Sequence, residues 1–141
     1  MQISDLVTLV NKHLADEMLS YTELRPFLDR TIDDINSALN TIYPAFSELP
    51  PFTPKYDAFP DRYLRTVVAT GAAWYYYVND EEGSPAAMQY QILYNKELFL
   101  MQRDMLYNIP EEYKADSLQG TVQFEFTGER GIELPYGIGE W

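Results

Sequence analysis

The sequence predicts a mainly α fold: a four-helix bundle with a Pro-rich connector and an extended, strand-forming C-terminal arm. Three observations carry that reading. Apolar residues recur every three or four positions through four long segments. Residues 43–60 hold Pro44, Pro50, Pro51, Pro54 and Pro60, which no regular helix or inner strand tolerates. Past Pro110 the period changes to two, with Val122, Phe124 and Phe126 alternating against Thr121, Gln123, Glu125 and Thr127. The chain divides accordingly into a helical core domain, 1–110, and an arm, 111–141.

The first helix is expected over 4–20, with Ser4 as N-cap and Leu6, Leu9, Val10, Leu14 and Met18 as its apolar stripe. The second runs from Thr22 or Glu23, with Pro26 in its first turn, to a stop at Pro44. Leu24, Phe27, Leu28, Ile32, Ile35, Leu39 and Ile42 keep the helical period along it. The connector's Phe46, Leu49, Phe52, Tyr56 and Phe59 are too apolar for a free linker, so it is expected to lie packed across the helices.

The third helix is expected from about Pro60-Asp61 to Asp80. Small residues at Gly71, Ala72 and Ala73 let a neighbouring backbone come close. "NDEEGSP" breaks the chain, and Ser84-Pro85 opens a fourth helix that reaches about Leu106. Two stripes run along this helix. Met88, Ile92, Leu98 or Phe99, and Leu106 form one; Tyr90, Leu93, Tyr94, Met101 and Met105 form the other. So broad an apolar girth predicts contacts on more than one face. In the arm, a lone strand needs a partner edge, and Ile132, Leu134, Tyr136, Ile138 and Trp141 give its Gly- and Pro-rich end something to bind with.

Composition narrows the function classes. The 141 residues carry 22 Asp and Glu against 10 Lys and Arg, a net charge of −12. Gripping a phosphate backbone needs clustered cations, and none is visible. With no cysteine there is no disulfide, thiol nucleophile or thiolate metal site. The first residues lack a basic segment and long apolar run, so no signal peptide is expected, and no stretch is long enough to span a membrane. Twelve tyrosines suit either an interface or a core whose hydroxyls reach water.

No catalytic pattern emerges. His13, the sole histidine, reads as a surface or boundary residue. Asp33 and Asp34 point to different sides of a helix, while Arg25 and Asp29 can pair at i, i+4 on a solvated charged face. "NDEEG" lacks the spacing of a calcium loop, and the glycines of the arm form no phosphate cradle. What stands out is "RYLRTVVATGAAWYYYVNDEEG", residues 62–83. Four consecutive rings, Trp74 to Tyr77, cannot all face one core. Trp74 or Tyr75 belongs inside with Val78, and Tyr76 or Tyr77 is expected at a subunit interface. Trp74, Tyr76, Tyr77, Tyr90 and Tyr94 are the candidate lateral contacts. Val122, Phe124, Phe126, Tyr136, Ile138 and Trp141 are the candidate binding residues of the arm.

The stretch "DAFPDRYLRTVVATGAAWYYYVNDEEG", with the helix "MQYQILYNKELFLMQRDML" after it, resembles the head–tail connector (adaptor) proteins of tailed bacteriophages over about residues 20–110. That resemblance implies a mainly helical subunit of a ring, usually of twelve copies, with no reaction and no cofactor. Such a ring docks beneath the portal protein, extends the DNA channel and presents a surface to the next neck or tail protein. The arm would reach the portal or a neighbouring subunit. The protein would reside in the virion neck, between capsid and tail, after synthesis in the host cytoplasm. DNA would pass without specific binding, with Asp80, Glu81 and Glu82 as candidates for an acidic lumen. The alternatives are a non-viral helical protein–protein interaction module, a carboxylate-based enzyme and another phage neck component.

Overall fold

The structure, a computed structural model of the chain, describes residues 1–14, 18–81 and 84–115, apart from the side chains of Asp80 and Glu81. It is mainly helical. The four long helices are α1 (Ile3–His13), α2 (Tyr21–Leu39), α3 (Ala69–Glu81) and α4 (Pro85–Met105). Among the described residues there is no strand, only isolated antiparallel bridges. The described residues fall into two compact units, one within 1–39 and 43–108, the other of residues 40–42 and 109–115.

In the larger unit α3 packs against α4, α2 and α1, so its small residues sit at the centre. Ala69, Ala72 and Ala73 are buried there with Leu6 and Val10 of α1, and Leu24, Leu28, Ile32 and Ile35 of α2. These side chains are the inward stripes the 3.6-residue period predicts. Gly71 makes the closest approach: a Cβ there would lie 2.7 Å from Cε1 of Tyr94 and 2.9 Å from Oγ1 of Thr31.

Helix ends differ from the sequence reading, each for a local reason. α1 starts at Ile3, ahead of Ser4, and the Ile3 N–H donates to the Pro54 carbonyl at 2.8 Å. It stops at His13 rather than continuing to 20. The Asn11 side chain accepts from the Leu19 N–H and donates to the Leu19 carbonyl, each at 2.9 Å, pulling the returning chain alongside. Met18 is exposed and outside the stripe. Ser20 and Glu23 form a reciprocal capping box at the start of α2. Pro26 therefore lies inside the helix, beyond its first turn.

α2 stops at Leu39, five residues before Pro44. Asn40 adopts φ 56°, a left-handed conformation that ends helices and that asparagine tolerates. The Asn36 side chain then holds Tyr43 through its N–H at 2.9 Å and its carbonyl at 3.0 Å. Ahead of α3 the chain makes an α-helical turn, Asp61–Tyr63, and a π-helical stretch, Leu64–Val68. The third helical run thus starts where expected, with an irregularity that apolar periodicity does not reveal.

The connector is packed. Phe46, Tyr56 and Phe59 are buried, with Phe46 stacked on Tyr56 at 4.6 Å and Tyr56 edge-on to Phe59 at 5.4 Å. The Tyr56 hydroxyl donates to the Pro44 carbonyl at 2.6 Å. Asp29 accepts from the N–H groups of Phe46 at 2.6 Å and Ser47 at 3.3 Å. The Arg25–Asp29 ion pair expected from spacing does not form, because Asp29 fastens the connector instead.

The smaller unit begins in a three-residue antiparallel pairing. Thr41 bridges Lys114, the Ile42 N–H donates to Tyr113 at 2.8 Å, and the Ala115 N–H donates to Asn40 at 3.1 Å. The expected strand at 121–127 lies outside the described residues.

Candidate assembly surface

The aromatic run resolves into three directions. Tyr75 points inward and is buried. Its hydroxyl and that of Tyr94 both donate to Oδ2 of Asp34, Tyr94 at 2.6 Å. The Arg30 guanidinium lies over the Tyr75 ring at 4.3 Å. Burial, reinforced by the hydrogen bond to Asp34, pushes both phenols far above their ordinary range. Trp74 is half-buried against Tyr75 at 4.7 Å and Tyr94 at 5.6 Å.

Tyr76 turns the other way, edge-on to Phe27 of α2 at 6.0 Å. Tyr77 stacks on Tyr90 of α4, with centroids 5.6 Å apart, and donates to the His13 carbonyl at 2.9 Å. Nδ1 of His13 lies 3.1 Å from the Tyr90 hydroxyl. Burial lowers the His13 pKa below its ordinary value and raises that of Tyr90. His13 is a boundary residue tying α1 to α4.

These placements revise the expected lateral contacts. Tyr94 is 1% exposed, so it is a core residue and offers nothing to a neighbour. Trp74, Tyr76, Tyr77 and Tyr90 are half-buried, each packed on another ring of the same chain. Asp34 is half-buried too, as the acceptor of two phenols rather than part of a solvated face. Glu82, the side chains of Asp80 and Glu81, and Val122, Phe124, Phe126, Tyr136, Ile138 and Trp141 lie outside the described residues.

Among the described residues, exposed large hydrophobics occur singly at Met18, Ile42, Phe52 and Tyr107 and as a row along α4. Tyr94, Met101 and Met105 face the core. Met88, Ile92, Phe99 and Leu106 face out, with Ile92 69% and Phe99 62% exposed. At 3.6 residues per turn these four fall within about 40° of one another, roughly 135° around the helix from the buried set. The strip they make is about 27 Å long. Sequence periodicity shows both stripes of α4 but cannot rank them. Tyr94 is inside where Gly71, having no side chain, leaves room for its ring.

Among the described residues no group of three or more His, Asp or Glu could hold a metal ion, and no helix is long and apolar enough to cross a membrane. Comparisons of the chain with family models, with curated proteins and with solved structures found no match.

Proposed function

We propose that the chain is a structural assembly subunit whose copies meet along the outer stripe of α4. In the form the sequence resemblance gives it, that assembly is the head–tail adaptor ring of a tailed phage. The four helices make a bundle. Twelve copies close into a ring that docks on the portal protein and carries the DNA channel toward the next neck or tail protein. Tyr90 lies on the opposite side of α4 from that stripe, so Trp74, Tyr76, Tyr77 and Tyr90 offer their exposed edges to the second neighbour in the ring. Val122, Phe124, Phe126, Tyr136, Ile138 and Trp141 bind the portal or a neighbouring subunit, with 121–127 adding as a strand to a sheet edge. Asp80, Glu81 and Glu82 line the channel, where like charge keeps DNA sliding. The protein resides in the virion neck.

One observation supports this above the others: α4 is apolar on two faces, and among the described residues only one of them is covered. An aligned exposed row is unlike the scattered hydrophobes of ordinary surfaces. A helix in a bundle whose second face is apolar is suited to a like neighbour, because each added copy buries the row and exposes another. Electron microscopy of the protein mixed with a tailed-phage portal protein tests the reading. Rings seated coaxially on the portal are expected. Portals that stay bare at every ratio contradict the adaptor role, and single particles without rings contradict the assembly role as well.

A further inference from the structure

The outer row of α4 runs about 27 Å from Met88 to Leu106. Residues 116–141 of the same chain lie outside the described residues. Their sequence matches the row in length and in chemistry. Leu118, Val122, Phe124 and Phe126 all occupy even positions, so in an extended segment they share one face. From Leu118 to Phe126 such a segment also measures about 27 Å, at about 3.3 Å per residue.

Charge is complementary as well. At about 100° per residue, Lys96 and Arg103 flank the row within about 65° of its centre, while Glu97 and Asp104 fall about 145° or more away. Both cations are exposed, and Arg103 pairs with Asp104 at 3.0 Å. Residues 116–141 carry Asp116, Glu125, Glu129, Glu133 and Glu140 against Arg130. An acidic segment with an apolar face therefore suits a row flanked by cations. Only residues 107–115 separate the end of the row from Asp116. A segment on so short a tether meets the row at an effective concentration of order millimolar, which a second copy must match to compete.

We propose that in the free subunit residues 118–126 lie along the outer row of their own α4, and that copies meet there by displacing them. The inference rests on that row being the assembly surface, and it supplies the regulation of that surface. The segment keeps the row out of water while the subunit is dilute. Assembly then releases Val122, Phe124 and Phe126 to bind a partner, so joining a neighbour and arming the C-terminal segment are one event.

The chain has no cysteine, so Gln123→Cys in the full chain carries a single nitroxide. On isotope-labelled chain diluted into unlabelled chain, the nitroxide is expected to weaken the amide signals of Ile92 and Phe99 relative to its reduced form. Moved to the unlabelled chain, below the assembly concentration, it should weaken neither. Signals unchanged in both samples, or weakened only by a nitroxide on another copy, would overturn the proposal. Phe124→Asp with Phe126→Asp uncovers the row and should lower the assembly concentration by about tenfold, as read by light scattering. An unchanged or higher assembly concentration would also overturn it. A wild type that never assembles contradicts the assembly surface itself, and the nitroxide then still decides whether the segment lies on α4.

Discussion

Tyr94 of α4 donates its hydroxyl to Asp34 of α2 across 2.6 Å, and Tyr75 of α3 donates to the same carboxylate oxygen. Three helices thereby meet at one side chain. Asp34→Ala leaves two buried phenols without their acceptor, which costs about 2–3 kcal/mol after allowance for water at the half-buried carboxylate. Asp34→Asn keeps one acceptor oxygen and loses less. The urea midpoint reads both, and an alanine variant as stable as the wild type would refute the joint.

Alkaline titration reads the same joint from the tyrosine side. Burial and the Asp34 hydrogen bond raise the folded pKa of Tyr75 and Tyr94 above the ordinary value of 10. Protonated phenol is therefore favoured in the folded state. Stability is complete below pH about 10 and is lost as pH rises above it. Tyrosinate absorbance should show these two rings ionising only together with loss of helix.

Gly71→Ala pits helix propensity against space. Alanine gains up to about 1 kcal/mol as a helix former. Its Cβ meets the Tyr94 ring, pinned by Asp34, and Thr31, whose hydroxyl donates to the Phe27 carbonyl at 3.1 Å. Neither neighbour yields cheaply, and overpacking costs about 1–3 kcal/mol. Net destabilisation is expected in a thermal melt, and a raised melting temperature would contradict the packing described for α3.

The connector depends on Asp29. Removing its carboxylate in Asp29→Ala leaves the Phe46 and Ser47 N–H groups without their acceptor, at a cost of about 1–2 kcal/mol. Hydrogen exchange should quicken at Phe46 and Ser47 well before it does in α3.

His13 gives a pH signal from the α1–α4 contact. Burial depresses its folded pKa below 6.5, so the neutral ring is favoured in the folded state. The associated stability is present above pH 6.5 and is lost as pH falls through the folded pKa. As the sole histidine its ring resonances are unambiguous, and their midpoint should lie below that of the urea-unfolded chain.

Much of the helical architecture is legible in the residues. Leu24, Leu28, Ile32, Ile35 and Leu39 face inward as their spacing predicts, and the small residues from Gly71 to Ala73 mark the close approach. The Ser20–Glu23 capping box is also a local signal, visible in the sequence once the start of α2 is sought two residues earlier. Asp34 is different. Its partners are 41 and 60 residues away, and no local rule couples them. The same limit hid the outer face of α4, because two apolar stripes on one helix look alike until a neighbour takes one.

The measurement closest to the central claim is the molar mass of the wild type and of an Ile92→Asp, Phe99→Asp double variant, by light scattering across a concentration series. Both side chains are exposed, so the variant should keep the wild-type helical spectrum and change stability by about 0.5 kcal/mol or less per site. The account predicts a wild-type mass that climbs with concentration to a closed oligomer, and a variant that stays a monomer. A wild type that is monomeric throughout, or a variant that assembles as the wild type does, would contradict it.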